Sequence, residues 1–153
     1  MSRVESALRE LGLTLPAVAA PAGDYVPALI HGDTVVTSGQ LPFVNGELPV
    51  TGHLGDNVTV EQAQELAQTA ALGALAAIKQ QLGDLDRVTR VLKVTVFVNS
   101  TADFTQQPQV ANGASGLFGK AFGERGRHTR SAVGVASLPL NSPVELEVTV
   151  AFE

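Results

Sequence analysis

One central segment limits the possible folds more than any other, because its apolar residues recur with the spacing of a helix. Between residues 59 and 82 the chain repeats small and medium apolar side chains every three or four positions: Ala63, Leu66, Ala70, Ala74, Ala77 and Ile78. Thr59 and Gln62 match a capping box, and Gly83 is a typical residue after a last helical turn. The small alanines predict a helix that packs closely on a sheet.

Strands for such a sheet are predicted where apolar and polar residues alternate, at 34–37, 88–98, 131–137 and 144–152. A second helix is predicted over 103–122, with an apolar face made of Val110, Ala114, Leu117, Phe118, Ala121 and Phe122. This helix is weaker, because each glycine within it costs about 1 kcal/mol relative to alanine. The element order predicts an α+β fold, in which two helices lie on one face of a mixed sheet.

The first 20 residues predict a short amphipathic helix over 2–12, followed by an irregular connector that contains two prolines. Charged residues interrupt any apolar run near the N-terminus, which is unlike a signal peptide. No later apolar run is long enough to span a bilayer. A chain of 153 residues is expected to form one domain. We therefore expect a cytoplasmic protein without a membrane partner, with residues 1–20 as a helix and connector before a main domain at 21–153.

Composition excludes several kinds of site. The chain has no cysteine, so it has no disulfide, no thiolate metal site and no cysteine nucleophile. Its net charge of −5 argues against non-specific binding of nucleic acid. His31, His53 and His128 lack metal-ligand spacing and are interpreted as ordinary surface or loop residues, so no metal is expected. Ser38 lies in S-G-Q, which is not a nucleophile elbow.

Charged residues stand in or beside the last two predicted strands. In 144–152, alternation assigns the valines and Leu146 to the core, and assigns Glu145 and Glu147 to the other face. Exposed glutamates are ordinary, and Arg130 is ordinary as a residue at a loop end that pairs with an acid. Alternatively, the planar guanidinium of Arg130 binds a ligand carboxylate through two hydrogen bonds. Alternation alone does not distinguish these interpretations.

A set of motifs from residue 21 to residue 153 resembles the RidA family, also called the YjgF or L-PSP endoribonuclease-like family. The closing motif is R-S-x-V-x-V-x-x-L-P followed by V-E-L-E, carried here by Arg130, Ser131, Val133, Val135, Leu138, Pro139, Val144, Glu145, Leu146 and Glu147. Further matches precede it in the family's order: Gly23, Tyr25, Val26, the run from Thr37 to Pro42, the run from Lys93 to Val98, Asp103, Phe104 and Asn112.

The resemblance implies a homotrimer with clefts between subunits, and a RidA/chorismate-mutase-like α+β fold. It also implies hydrolysis of reactive enamines and imines, such as 2-aminoacrylate, to 2-keto acids and ammonia. The enzyme would be a 2-iminobutanoate/2-iminopropanoate deaminase-type hydrolase that needs no cofactor, because an imine is already an electrophile. Arg130 would bind the substrate carboxylate, and Glu145 would activate water and transfer a proton. Tyr25, Ser38, Gly39 and Asn112 would contact the substrate.

Three features depart from the family pattern. Ala132 stands where many members have cysteine, residues 1–20 extend beyond the family core, and 106–119 is rich in glycine and glutamine. Two other functions stay open. One is a non-enzymatic trimer that binds small carboxylates or acts as a chaperone. The other is an endoribonuclease or translation inhibitor that uses the basic cluster at Arg125, Arg127, His128 and Arg130.

Overall fold

The structure is a computed structural model that describes residues 2–153. Three helices and five strands form its regular elements: α1 (Arg3–Glu10), β1 (Ala28–His31), β2 (Thr34–Thr37), α2 (Val60–Leu82), β3 (Val88–Asn99), α3 (Gln107–Phe122), β4 (Thr129–Val135) and β5 (Val144–Phe152). Short 3-10 turns lie at Leu85–Arg87, Gly123–Gly126 and Pro139–Asn141. None of the helices within residues 2–153 has the length and apolar character needed to cross a membrane.

The five strands form one mixed sheet in the order β1-β2-β5-β3-β4. All neighbouring strands are antiparallel except β3 and β4, which run parallel and are connected along the chain by α3. β1 and β2 form a hairpin around Gly32 and Asp33, where Gly32 has a φ of 60° that glycine adopts without steric cost. The predicted α+β class and mixed sheet are confirmed.

The core lies between one face of the sheet and the helices. Alternate valines of β3 and β5 are fully buried there, together with the alanine stripe of α2. The capping box of Thr59 and Gln62 is present, and Gly83 follows the last turn. α3 approaches α2 closely at Gly113, where any side chain would overlap the backbone of Gln64. Both long helices therefore cover the same face, as predicted.

Three details differ from the sequence predictions. The helix predicted from residue 103 begins at Gln107, because Pro108 suits a first turn and the Thr101 hydroxyl donates to the Asp103 carboxylate (2.8 Å) in a preceding turn. β1 was missed, although the Gly32-Asp33 pair is a hairpin signal. The helix layer also has a third member, because α1 packs against α3.

The opposite face of the sheet carries no helix within the described residues. Leu29, Val36 and Val133 are exposed on it, and so is the charged side chain of Glu147. Exposed apolar residues that lie together on a sheet face are typical of an interaction surface.

Candidate active site

The two residues at the centre of the predicted site lie on opposite faces of the sheet. Arg130 pairs with Val94, which is buried beneath the helices. Glu145 pairs with Phe97, which points the other way in the alternation of β3. From strand spacing and rise, the two Cα atoms are roughly 14 Å apart. One chain therefore does not bring Arg130 and Glu145 together.

Glu145 lies in a cavity of about 300 Å³ at the open side of the sheet. Among the described residues that line this cavity, Glu145 is the only charged one. The remaining walls are mostly apolar or backbone: Ala19, Ala20, Pro21, Ala22, Tyr25, Pro27, Gly39, Gln40, Leu41, Phe43, Pro139 and Leu140. We call this cavity the Glu145 pocket. It contains Tyr25 and Gly39 of the predicted set.

Because Gly39 has no side chain, the Glu145 carboxylate can occupy the space beside the backbone of residue 39. A Cβ atom at residue 39 would lie 2.7 Å from Oε1 of Glu145 and 2.9 Å from its Cδ. Real Cβ atoms do not approach so closely, so any side chain at this position would displace the carboxylate. Gly39 therefore lets the carboxylate lie directly against the backbone.

Tyr25 lines the Glu145 pocket, whereas Ser38 does not line it and instead makes hydrogen bonds to the neighbouring backbone. The Ser38 hydroxyl donates to the Val26 carbonyl (2.6 Å), and the Ser38 N–H donates to the Pro27 carbonyl (2.8 Å). The Tyr25 hydroxyl accepts from the Ala22 N–H at 3.2 Å, and its ring is half exposed. Ser38 thus fastens the segment that carries Tyr25 to the end of β2.

The Glu145 carboxyl is adapted to hold a proton. Burial raises its pKa above the ordinary glutamate value, and the negative charge of Glu147 raises the pKa further. A carboxyl group with a raised pKa transfers protons more readily near neutral pH than an ordinary glutamate does. The pocket therefore combines apolar walls with one group suited to acid–base chemistry.

Arg130 is held on the helix side by two residues of α3. Its Nη1 donates to Oδ1 of Asn112 (2.8 Å) and to Oγ of Ser115 (3.1 Å). The structure thus brings together Arg130 and Asn112, two residues of the predicted site. Ser115 was missed.

His128 continues this network. Its Nδ1 lies 2.7 Å from the Gly126 carbonyl, and its Nε2 lies 2.9 Å from Oγ of Ser115. A carbonyl only accepts, so in the neutral ring Nδ1 carries the proton and Nε2 accepts from the Ser115 hydroxyl. Ser115 keeps a lone pair for Arg130. The ring also packs edge-on against Phe118, with centroids 5.8 Å apart.

His128 lies in the loop before β4, as expected, and its ring is partly buried beside Arg130. The sequence does contain a signal for this. Residues two apart in a strand share a face, so His128 just before β4 points the same way as Arg130. His31 lies in β1, and His53 contacts the Ala136 carbonyl at 3.0 Å.

The other arginines of the basic cluster have structural contacts. Arg125 donates to the Val88 carbonyl at 2.6 Å, and Arg127 lies 3.7 Å from the Glu124 carboxylate. Within residues 2–153, no three histidine, aspartate or glutamate side chains converge in a metal-binding arrangement.

Comparisons with known proteins match nearly the whole chain. A family model described as "YjgF/chorismate mutase-like, putative endoribonuclease" matches residues 5–150. Protein TCP17 of Trypanosoma cruzi is 48% identical over 149 residues, which cover 97% of this chain and 93% of that protein. A 2-iminobutanoate/2-iminopropanoate deaminase of Dermatophagoides farinae is 30% identical over 142 residues, covering 92% of this chain and 95% of that protein.

Solved structures share the fold as well. A protein of unknown function from Agrobacterium tumefaciens superimposes with a TM-score of 0.93 at 45% identity, covering 99% of this chain and 93% of that one. The family model, the relatives and the shared fold agree with one another over nearly the whole chain. The chain therefore belongs to the RidA/YjgF family.

Proposed function

We propose that the protein hydrolyses 2-imino acids to 2-keto acids and ammonia, in clefts formed between three copies of the chain. The observation that carries this proposal is Glu145, a carboxyl group with a raised pKa in a small pocket that is otherwise uncharged. Relatives named 2-iminobutanoate/2-iminopropanoate deaminase support the same reaction. An imine needs only an oriented water molecule and a proton shuttle to be hydrolysed.

In the proposed reaction, the imine nitrogen first takes a proton from solvent. The oxygen of a water molecule then bonds to C2, the π electrons of the C=N bond move to nitrogen, and the Glu145 carboxylate takes a proton from that water. The resulting carbinolamine carries both a hydroxyl and an amino group on C2. Glu145 then returns its proton to the nitrogen, and the C–N bond breaks. The hydroxyl proton is lost as the carbonyl forms, so one imine and one water give one 2-keto acid and one ammonia.

The position of Arg130 supports a cleft that is shared between copies. A substrate whose C2 lies at Glu145 cannot reach Arg130 of the same chain, because the sheet separates the two side chains. We therefore propose that Arg130 of one copy holds the carboxylate, and Glu145 of a neighbouring copy acts on the imine. Asn112 and Ser115 keep the guanidinium in place for this contact. The uncovered sheet face offers an apolar surface for the neighbour.

The test is to generate imino acids in solution with an amino-acid oxidase and to follow their decay. We expect the protein to accelerate the decay, and Glu145→Gln to lose on the order of 10²-fold in kcat. Arg130→Ala should mainly raise KM. Glu47→Gln is the matched control, because Glu47 is an exposed glutamate that does not line the Glu145 pocket. No acceleration by the wild type, or full activity of Arg130→Ala, would refute the proposal.

A second candidate is a carboxylate-binding protein without catalysis. The observation that favours it is that Arg130 is held by Asn112 and Ser115 without any contribution from Glu145. In that case a 2-keto acid would bind to Glu145→Gln as tightly as to the wild type, and neither protein would turn over an imine. Calorimetry with pyruvate, set beside the decay assay, separates the two functions.

A further inference from the structure

The turn before β5 has an unusual backbone. Leu140 has φ 57° and ψ 20°, and Asn141 has a φ of 57°. The Ser142 N–H donates to the Pro139 carbonyl at 3.1 Å, which closes a four-residue turn around these two residues. Two central residues with positive φ and this hydrogen bond are the features of a type I′ turn.

A backbone with positive φ suits one of the two central residues of this turn and not the other. Type I′ positions favour glycine, asparagine and aspartate, because other side chains clash there with the backbone. Asn141 suits its position, and it also accepts from Nδ2 of Asn99 at 3.2 Å. Leu140 does not suit its position. It is 68% exposed, so no burial in the core compensates for the strained backbone.

Leu140 does have a place in the Glu145 pocket. It lines the cavity together with Leu41, Phe43 and the Tyr25 ring. Strained residues are concentrated at functional sites. Since Leu140 contributes nothing to the core, we expect its role to be in the pocket that it lines. The chemistry available there is apolar contact, since Leu140 has no polar side-chain atom.

We propose that Leu140 is a specificity residue, which selects 2-imino acids whose side chain is apolar and larger than a methyl group. The inference rests on the proposed function, since it concerns the substrate of the same pocket. The left-handed turn holds the Leu140 side chain at the pocket, and Leu140 contacts the side chain of the substrate there. A few methylene groups in such a contact change specificity by about tenfold or more.

The test compares the wild type with Leu140→Gly and Leu140→Asn, both of which tolerate positive φ. Imines generated from alanine and from leucine are the substrates. We expect the wild type to favour the leucine-derived imine, and both variants to lose roughly tenfold in kcat/KM for it, with little change for the alanine-derived imine. Leu140→Gly should melt at the same or a higher temperature, because glycine relieves the strain. Asn45→Gly is the matched control, since Asn45 has a φ of 53° and does not line the pocket.

Binding of stable keto acids separates this inference from the proposed function. Calorimetry with 4-methyl-2-oxopentanoate and pyruvate should show the same preference and the same loss in the variants, even if no imine is turned over. An unchanged ratio between the two ligands would overturn the role of Leu140 while leaving deamination intact. The role of Leu140 would also be overturned by equal losses for both ligands or by a wild type that binds neither ligand. Variants that sediment as a smaller oligomer than the wild type would overturn it as well.

Discussion

Gly39 determines where the Glu145 carboxylate lies. Its φ is not positive, so alanine fits the backbone, but the added methyl would overlap the carboxylate. We expect Gly39→Ala to displace Glu145 and lower kcat on the order of 10²-fold, with a melting temperature close to that of the wild type. Gly119→Ala is the control, since a Cβ atom there meets nothing within 4 Å. A fully active Gly39→Ala would show that the position of the carboxylate is unimportant.

The raised pKa of Glu145 predicts a pH-dependent cost to stability. The folded chain favours the protonated carboxyl, so the cost is present above the folded-state pKa and absent below the ordinary glutamate pKa. Glu145→Gln removes the charge. We therefore expect this variant to resist urea better than the wild type at about pH 8, and the difference to vanish near pH 3. Glu47→Gln, which removes a charge from an exposed turn, is the control variant. A difference between Glu145→Gln and the wild type that is constant with pH would contradict the assignment.

Ser115 and His128 are expected to position Arg130 without touching the substrate. Ser115→Ala removes one acceptor of the guanidinium, so the KM for an imino acid should rise about tenfold while kcat changes less. His128→Phe keeps the packing on Phe118 but cannot accept from Ser115, so it should raise KM similarly. His128→Gln offers an amide oxygen near the place of Nε2 and should largely restore KM.

The double variant Ser115→Ala with His128→Phe decides whether the two residues act as one unit. Because both variants break the same hydrogen-bonded chain, the double variant should have a KM close to that of either single one. A KM that is the product of the two separate increases would show that His128 acts independently of Arg130.

At the scale of elements, Asp86 attaches α1 to the rest of the fold. Its carboxylate accepts from the N–H groups of Arg3 (2.8 Å) and Val4 (3.0 Å), the first residues of α1. Burial alone would raise the Asp86 pKa, but these hydrogen bonds and the charges of Arg3 and Arg125 outweigh it, so the pKa is lowered. The carboxylate therefore acts as a cap supplied from another element.

We expect Asp86→Ala to cost about 1 kcal/mol of unfolding free energy at neutral pH, as the loss of a helix cap does. A lowered pKa means that this stabilisation is present above the ordinary aspartate pKa and is lost as the pH falls through the folded-state value. Urea unfolding should therefore show the wild type and the variant converging in strong acid. Asp56→Ala, in an exposed loop, should behave like the wild type, and a neutral Asp86→Ala would contradict the capping role.

Elements with a local sequence pattern were predictable, whereas features that depend on contacts between distant parts of the chain were not. The α2 helix and the β5 alternation were predictable, because capping residues and period-two patterns act over a few positions. The facing of Arg130 and Glu145 was not, since alternation relates residues within one strand only. The register that pairs Arg130 with Val94 and Glu145 with Phe97 depends on long-range packing. Ser115 has no motif, and only the approach of α3 to β4 reveals it.

At the scale of the whole molecule, one chain carries the two parts of the proposed site on opposite faces of the sheet. The Glu145 pocket opens on the uncovered side of the sheet, and Arg130 is held on the helix side. Three copies arranged around a closed three-fold axis would supply both halves to each cleft. We therefore expect sedimentation to give a species of three times the 15.9 kDa chain mass. A monomer at micromolar concentration would remove the shared cleft.

Mixing two impaired variants, assayed at a substrate concentration well below the KM of Arg130→Ala, tests the shared site most directly. Arg130→Ala and Glu145→Gln, unfolded together in equal amounts and refolded, form rings in which a neighbour supplies the residue that each chain lacks. Every mixed ring has one intact cleft of three, and roughly three quarters of the rings are mixed. We predict that the mixture recovers about one quarter of the wild-type imine deaminase activity. A mixture no more active than either variant alone, although differently tagged chains co-purify, would contradict the account.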